Sequence, residues 1–517
     1  MKRNNFCHRC PIHSISRRNF IYSSAAVGVG LLLNEFSSFS AEKPKRKLRI
    51  IYSIHSPKQQ GPDWPNKGFN FEPVMEKTNQ ELAKKFKHFE FLYSTANGPE
   101  QADKIIEQDK LQNIDGYIVF QMNCWNRVVQ SVAKTGKPVL YVDFKYGGSG
   151  GFLTYTATFI RENAKNVGFL SSSRSSDLIE AVKCFERIES QSDVIKFADY
   201  IAEIRRQNTP KASRLSFKTD ALDTISLDDW VKQIKESRIL AVRGQQSGPA
   251  GEMMGMKVIH VPFAEINEAW KNADKEKSRA VAMQWRKNAA KVEDVNDEVL
   301  LQSAAMYVAQ KDVMKKYGAV AITINCLGGF YGGHIHAYPC LGFHQLLNEG
   351  LVGGCECDVR SAAVMTAFGM LTKGRPGFIS DPVIDTSKRQ IIYAHCVASN
   401  YPFGPKEKPY PYQILTHSED RQGASVRAIL PTGYLTTTLE IHPDKKEILL
   451  HQAKAVGNDP DDRACRTKLV GEPLGDIEKL FTMWDQWGWH RVTFYGDLKK
   501  HAYALADAMG WKVVEEA

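Results

Sequence analysis

The sequence predicts an α/β protein in which two parallel-sheet units precede a β-rich α+β C-terminal domain. Three observations carry that expectation. From Lys47 onward, β-branched and aromatic runs alternate with stretches of helical spacing. The 517 residues exceed what one ordinary core accommodates. After Cys326, glycine, proline and histidine become frequent and strand-like runs outnumber helical ones. The expected divisions are a leader at 1–40, an α/β unit at 41–235, a second at 236–325 and the β-rich domain at 326–517.

In the first unit, residues 47–53 (KLRIIYS), 88–93 (HFEFLY), 116–121 (GYIVFQ) and 138–143 (PVLYVD) read as strands. Helical patterns at 72–86, with Pro73 in the first turn, and at 100–109 and 128–135 separate them. That alternation predicts a doubly wound, Rossmann- or flavodoxin-like sheet. Such sheets bind ligands beyond the strand C-termini, which places Asn123, Cys124, Trp125, Asp143 and Lys145 at a cleft. Gly147–Gly151 (GGSGG) lacks dinucleotide-binding spacing and reads as a flexible loop. A polar helical stretch is expected from about 161 to 235. In the second unit, 239–243, 257–262 and 319–325 read as strands, 281–290 and 296–317 as helices, and 244–256 as a loop.

The net charge of +10 is partly local. Residues 1–40 hold Lys2, Arg3, Arg9, Arg17 and Arg18 against Glu35. The remaining excess is spread among interleaved acids, which excludes a nucleic-acid footprint. Ser16-Arg17-Arg18-Asn19-Phe20-Ile21 resembles the twin-arginine export motif, and an apolar run from Ala25 to Leu33 follows. The resemblance implies a signal peptide and a folded protein exported to the periplasm or cell exterior, with any metal loaded first in the cytoplasm. The apolar run is too short for a permanent membrane span. Of ten cysteines, Cys7 and Cys10 fall inside this leader, and the other eight show no regular spacing. Buried free thiols are expected.

Candidate chemistry lies in the C-terminal domain, which holds nine of the fourteen histidines. Residues 341–348 read as a helix, followed by a strand into Glu356 and a second helix at 361–371. Glu356 sits between Cys355 and Cys357. A carboxylate in apolar surroundings needs a partner, either a metal ion or Arg360 nearby. Residues 377–383 (GFISDPV) read as a short strand ending on Asp381, with Pro382 stopping the ladder. His395 closes a strand at 390–396 (QIIYAHC), and His490 follows a glycine turn in 484–494 (WDQWGWHRVTF).

The order Glu356, Asp381, His395, His490 resembles the metal-ligand order of the L-arabinose isomerases. The contexts Cys355-Glu356-Cys357-Asp358, Phe378-Ile379-Ser380-Asp381 and Trp487-Gly488-Trp489-His490 resemble the three metal ligands of L-fucose isomerase. The resemblance covers about residues 320–517. It implies a manganese-dependent aldose–ketose isomerase working through an enediol on an L-fucose- or L-arabinose-like sugar. Glu356 and Asp381 would be ligands and the acid–base pair, His490 a ligand, and His395 a fourth ligand or a sugar-binding residue. It also implies a homo-oligomer whose site a neighbouring subunit often completes. Two carboxylates with imidazole form a hard-to-borderline set suited to such an ion. The same fold and site are open to a non-catalytic sugar-binding relative, or to a lyase or epimerase with shared enediolate chemistry. His334 and His336 are expected on a loop lining the sugar site. Trp489 and Arg360 complete the candidate substrate contacts.

Overall fold

Parallel strands open the molecule. The computed structural model describes residues 45–517 apart from Arg214, Leu215 and Thr219. The twin-arginine motif, Cys7 and Cys10 lie outside the described residues. Strands β1 (Arg46–Ser53), β2 (Phe89–Ala96), β3 (Gly116–Gln121), β4 (Val139–Asp143) and β5 (Val167–Leu170) form an all-parallel sheet in the order β2-β1-β3-β4-β5. This is the flavodoxin-like order, reversing beside β1. β3 and β4 are buried along their whole length, as a sheet covered on both faces requires.

Two expectations for this unit are corrected. The GGSGG segment is not a flexible loop, because the helix Ser149–Arg161 begins inside it. Its glycines serve close packing. A Cβ on Gly148 would lie 1.8 Å from the carbonyl oxygen of Gln121, and one on Gly150 would lie 2.8 Å from the Trp489 ring. The stretch from 161 to 235 is not continuously helical either. It contains β5 and the helices Ser175–Lys183, Phe197–Asn208 and Leu227–Glu236, and the described residues just before the last of these are not helical. A four-residue strand is too short to show a period of its own.

The second sheet holds β6 (Arg238–Val242), β7 (Gly248–Met253) and β8 (Met256–Val261). After the two-residue β9 (Lys291–Val292), it is joined by β10 (Ala321–Ile324) and β11 (Val352–Gly354), in the order β11-β10-β6-β8-β7. Only β7 runs antiparallel. The glycine-rich stretch at 244–256, expected as a loop, supplies this edge strand through a hairpin turned at Gly255, whose φ is +83°. β11 lies beyond residue 325.

The third sheet closes on itself. Its strands are β12 (Phe378–Asp385), β13 (Gln390–His395), β16 (Leu435–His442), β17 (Glu447–Asn458), β18 (Thr467–Pro473), β19 (Arg491–Tyr495) and β20 (Lys512–Glu515). Between β13 and β16, β14 (Tyr412–Leu415) and β15 (Ser425–Ala428) pair with each other, and β14 with β9. The ring β16-β19-β12-β13-β18-β17 returns to β16 through antiparallel pairs, a six-stranded barrel with β20 appended to β17. Pro382 does not end β12, which runs on to Asp385. Pairing with β19 stops at Ser380, so Pro382 has a strand on one side only, where proline is tolerated. One apolar cluster joins the first sheet (Val119, Tyr141) to the barrel (Ile384, Tyr393), and a second joins the second sheet to it (Val383, Ile392). Both α/β units thus share apolar core with the barrel. No helix among the described residues is long and apolar enough to cross a membrane.

Candidate metal centre

Strand register assembles the site. β12 lies between β13 and β19. Asp381 pairs with Ala394, next to His395, and Ser380 pairs with Arg491, next to His490. Two histidines and one aspartate therefore meet because three neighbouring strands are held in one register. Glu356 arrives separately, on the loop after β11. Glu356 and Cys357 take the left-handed backbone conformation, with φ of 61° and 54°, which is strained for residues bearing a Cβ. The Cys357 amide donates to the Ile324 carbonyl at 3.0 Å and fixes that turn against the second sheet.

One ligand atom from each of Glu356, Asp381, His395 and His490 falls within a set whose members all lie within 4.8 Å of one another. His490 Nε2 is 3.1 Å from Asp381 Oδ1 and 3.5 Å from Glu356 Oε2. His395 Nε2 is 3.9 Å from Glu356 Oε1 and 4.0 Å from Asp381 Oδ2. Asp381 and His395 are buried, while the Glu356 side chain is 34% exposed and opens the site to solvent. His395 Nε2 is buried without a hydrogen-bond partner, and Asp381 Oδ1 has only the His490 ring nitrogen within reach. Buried polar atoms left unpaired are costly, and a shared cation would satisfy both. The donor set fits a divalent ion.

Electrostatics agree with that fit. Desolvation pushes the Glu356 carboxyl above its ordinary range, and neighbouring Asp381 adds to the rise against the pull of His490. Burial opposes charging of His490, but the carboxylates of Asp381, Glu356 and Asp358 prevail and hold its pKa well above the usual value. These carboxylates favour the charged imidazole while no ion is bound, and an imidazole must be neutral to ligate a metal.

The third carboxylate, Asp358, was not among the residues expected from sequence. Asp358 Oδ2 lies 2.9 Å from His490 Nδ1, the outer-shell carboxylate that orients an imidazole toward a metal. Asp358 also caps the helix Val359–Leu371 by accepting from the Arg360 and Ser361 amides at 3.0 and 3.1 Å. Its carboxyl is held well below the usual range: burial opposes this, but His490 outweighs it. Ser361 Oγ links Asp358 to the buried Glu440, whose pKa burial pushes up to about 7. An acidic residue at the N-cap, two places after Glu356, was the available sequence signal.

No family model matches the chain. The chain is similar to sulfoquinovose isomerases. One from Clostridium sp. (strain MSTE9) is 26% identical over 211 residues, covering 40% of this chain and 46% of that protein. One from Alkalicoccus urumqiensis is 23% identical over 184 residues, 34% of this chain and 41% of that one. One from Priestia aryabhattai is 27% identical over 107 residues, 20% and 24% respectively. The chain thus spans less than half the length of the curated relatives it matches. A crystal structure of the transcription regulator CcpA of Lactococcus lactis aligns with 54% of this chain and 78% of its own, at 11% identity and a TM-score of 0.15, too low to carry an argument.

The remaining candidates divide around this centre. Trp489 precedes His490 and donates from Nε1 to the Pro382 carbonyl at 3.1 Å, beside Asp381. Its ring meets Trp64 and the half-exposed Trp125, 5.3 and 5.8 Å away. Arg360 packs against the Gly488 turn and, among the described residues, makes no ion pair with Glu356. His334 and His336 are exposed on an irregular segment, against Phe263 and Trp270 of the second unit, and are not part of the four-residue cluster. Asn123 is buried and donates to Gln59 and the Trp64 carbonyl. A narrow cavity beside Glu356 and His395 is lined by Tyr331, His417 and Glu419 and by five thiols, Cys326, Cys340, Cys355, Cys396 and Cys465. All eight cysteines among the described residues are buried and free.

Proposed function

We propose that this chain is a divalent-metal-dependent aldose–ketose isomerase. The carrying observation is the four-residue cluster, in which the buried His395 Nε2 has no hydrogen-bond partner. The sulfoquinovose isomerases among its relatives support a sugar isomerase over other users of such a site. A divalent ion held there would polarise two adjacent sugar oxygens and lower the cost of negative charge developing on them. Manganese suits the two carboxylates and two imidazoles.

The residues then divide the proton chemistry. Glu356 is the carboxylate nearest open space, so it takes the proton from C2 and returns it to C1. Asp381, buried and fixed in a strand, moves the proton between the two sugar oxygens of the enediol. Asp358 keeps His490 oriented by accepting from Nδ1. The substrate reading is an aldose of the L-fucose or L-arabinose type, with the relatives' sulfoquinovose as the direct competitor. Export is a separate proposal, resting on Arg17 and Arg18 alone. Retention of an Arg17→Lys, Arg18→Lys variant in the cytoplasm, with the parent chain found outside it, would test it.

The activity test is incubation of manganese-loaded protein in D2O with L-fucose, L-arabinose and sulfoquinovose. Deuterium entering C2 of recovered aldose, with ketose formed, is the expected result. Exchange with an epimer or cleavage product in place of a ketose would mark an epimerase or lyase. Tight sugar binding without exchange would mark a non-catalytic relative and end the enzymatic reading.

A further inference from the structure

Arg491 follows His490 directly, and its guanidinium is fully buried at the base of the turn that presents that ligand. Arg491 Nη1 donates to the carbonyls of Gly488 and His490, both at 2.9 Å. Gly488 has φ of +75°, a conformation glycine alone adopts readily, so the turn's shape depends on what holds its carbonyls. On the strand side, Arg491 pairs with Ser380, whose Oγ donates to the Arg491 carbonyl at 3.2 Å. One residue thus touches the chain next to both His490 and Asp381.

What fixes Arg491 is Glu516. Arg491 Nη2 donates to Glu516 Oε1 at 2.7 Å and Nε to Oε2 at 3.3 Å, a two-point contact with both side chains at 0% exposure. Arg491 also lies over the Trp484 ring, 4.0 Å from its centroid. Glu516 is held in turn: His451 Nδ1 is 2.8 Å from its Oε2, and His451 Nε2 is 2.7 Å from Tyr393 Oη, which accepts from Thr438 at 3.1 Å. The anchor therefore spans β13, β16 and β17. A buried ion pair adds little net stability over apolar packing, so stability alone is a weak reason for one here.

We propose that Glu516 is a positioning residue of the metal centre, acting through Arg491 on the turn that carries His490. This rests on His490 being a metal ligand. Without the Glu516 charge, Arg491 is a buried cation with no counter-ion. It then turns toward other acceptors and releases the two carbonyls that set the imidazole's place. The ligand set loosens although none of its members has changed.

The test compares the parent protein with Glu516→Gln and Glu478→Gln. Glu478 makes a comparable ion pair with the buried Arg205, away from the centre, and controls for loss of any buried pair. Manganese affinity is read by electron paramagnetic resonance of the free ion, and thermal stability on the same samples. Glu516→Gln should weaken manganese binding by about 10–100-fold, as outer-shell losses do. Glu478→Gln should lower the melting temperature and leave affinity unchanged. Parent-like manganese affinity in folded Glu516→Gln overturns the proposal. If that variant does not fold, Glu516→Asp keeps the charge with a shorter reach: weaker binding at an unchanged circular dichroism spectrum supports the proposal, and parent-like affinity overturns it. Failure of the parent itself to bind manganese would instead remove the metal-centre reading.

Discussion

The first parallel sheet and the β12–β13–β19 seam of the barrel are both buried, but they bury opposite kinds of surface. In β3 and β4 the fully buried residues are mostly Tyr, Ile, Val and Leu, and burial there is packing. Along the seam the buried set includes Asp381, His395, Arg491, Thr493 and Ser380, with Glu516 and His451 behind them. Apolar burial stabilises without regard to partner, whereas polar burial is tolerated only when each group is matched. Most of the seam is matched by side chains. His395 Nε2 is not, and Asp381 Oδ1 has only the His490 ring nitrogen 3.1 Å away; both belong to the four-residue cluster where a cation would sit. Asp385 Oδ2, at the far end of β12, also lacks a hydrogen-bond partner, so it is the coincidence of unmet polar atoms with the four-residue cluster that marks the site.

The sharpest break between the regions comes from Glu356→Gln with Asp381→Asn. Manganese binding should fall beyond detection and isomerisation with it, while circular dichroism stays unchanged. Unchanged metal content by elemental analysis would dissolve the distinction. Ile118→Ala in β3 probes the other region. It should cost about 2–5 kcal/mol of stability in urea denaturation and leave the metal affinity of folded protein intact. Asp358→Asn lies between the two, since it touches a ligand and no ion. A weakening of manganese affinity by about 10–100-fold, read by titration calorimetry, is expected.

The smallest effect is a pH dependence. Burial opposes ionisation of Glu516, but Arg491 first and His451 next hold its pKa down to about 2. A carboxyl depressed on folding contributes stability that is complete above its unfolded value of about 4.3 and is lost as pH falls toward the folded one. Metal-free protein should therefore lose urea stability between about pH 4.3 and 2. In Glu516→Gln that slope should be shallower, and an identical acid limb would show that this charge is not ordered as described.

Four of the five strands of the first unit were legible because each carries an apolar run bounded by turn residues, and Gly116–Gln121 matches its predicted span, whereas the four-residue β5 was missed. Segments whose role depends on a neighbour were not. The GGSGG stretch carries flexible-loop chemistry locally, yet Gln121 and Trp489 press on it and it opens a helix. The stretch at 244–256 has too many glycines for a strand signal and is ordered by its ladder to β8. Pro382 reads as a stop, and only the missing second neighbour lets β12 pass through it.

For the site, sequence alone supplied the chemical identities: two carboxylates and two imidazoles at strand and turn positions, in an order that resembles known sugar isomerases. Side-chain type and local pattern are properties of the chain itself, so they can be read before it folds. Tertiary structure decided the rest. Register between β12, β13 and β19 brings residues 381, 395 and 490 together, and the left-handed turn at Glu356 delivers the fourth. Pairing between segments up to 134 residues apart also selected Asp358 and Glu516 as partners of that centre and left His334 and His336 outside it. No local pattern encodes a contact whose two halves are written so far apart.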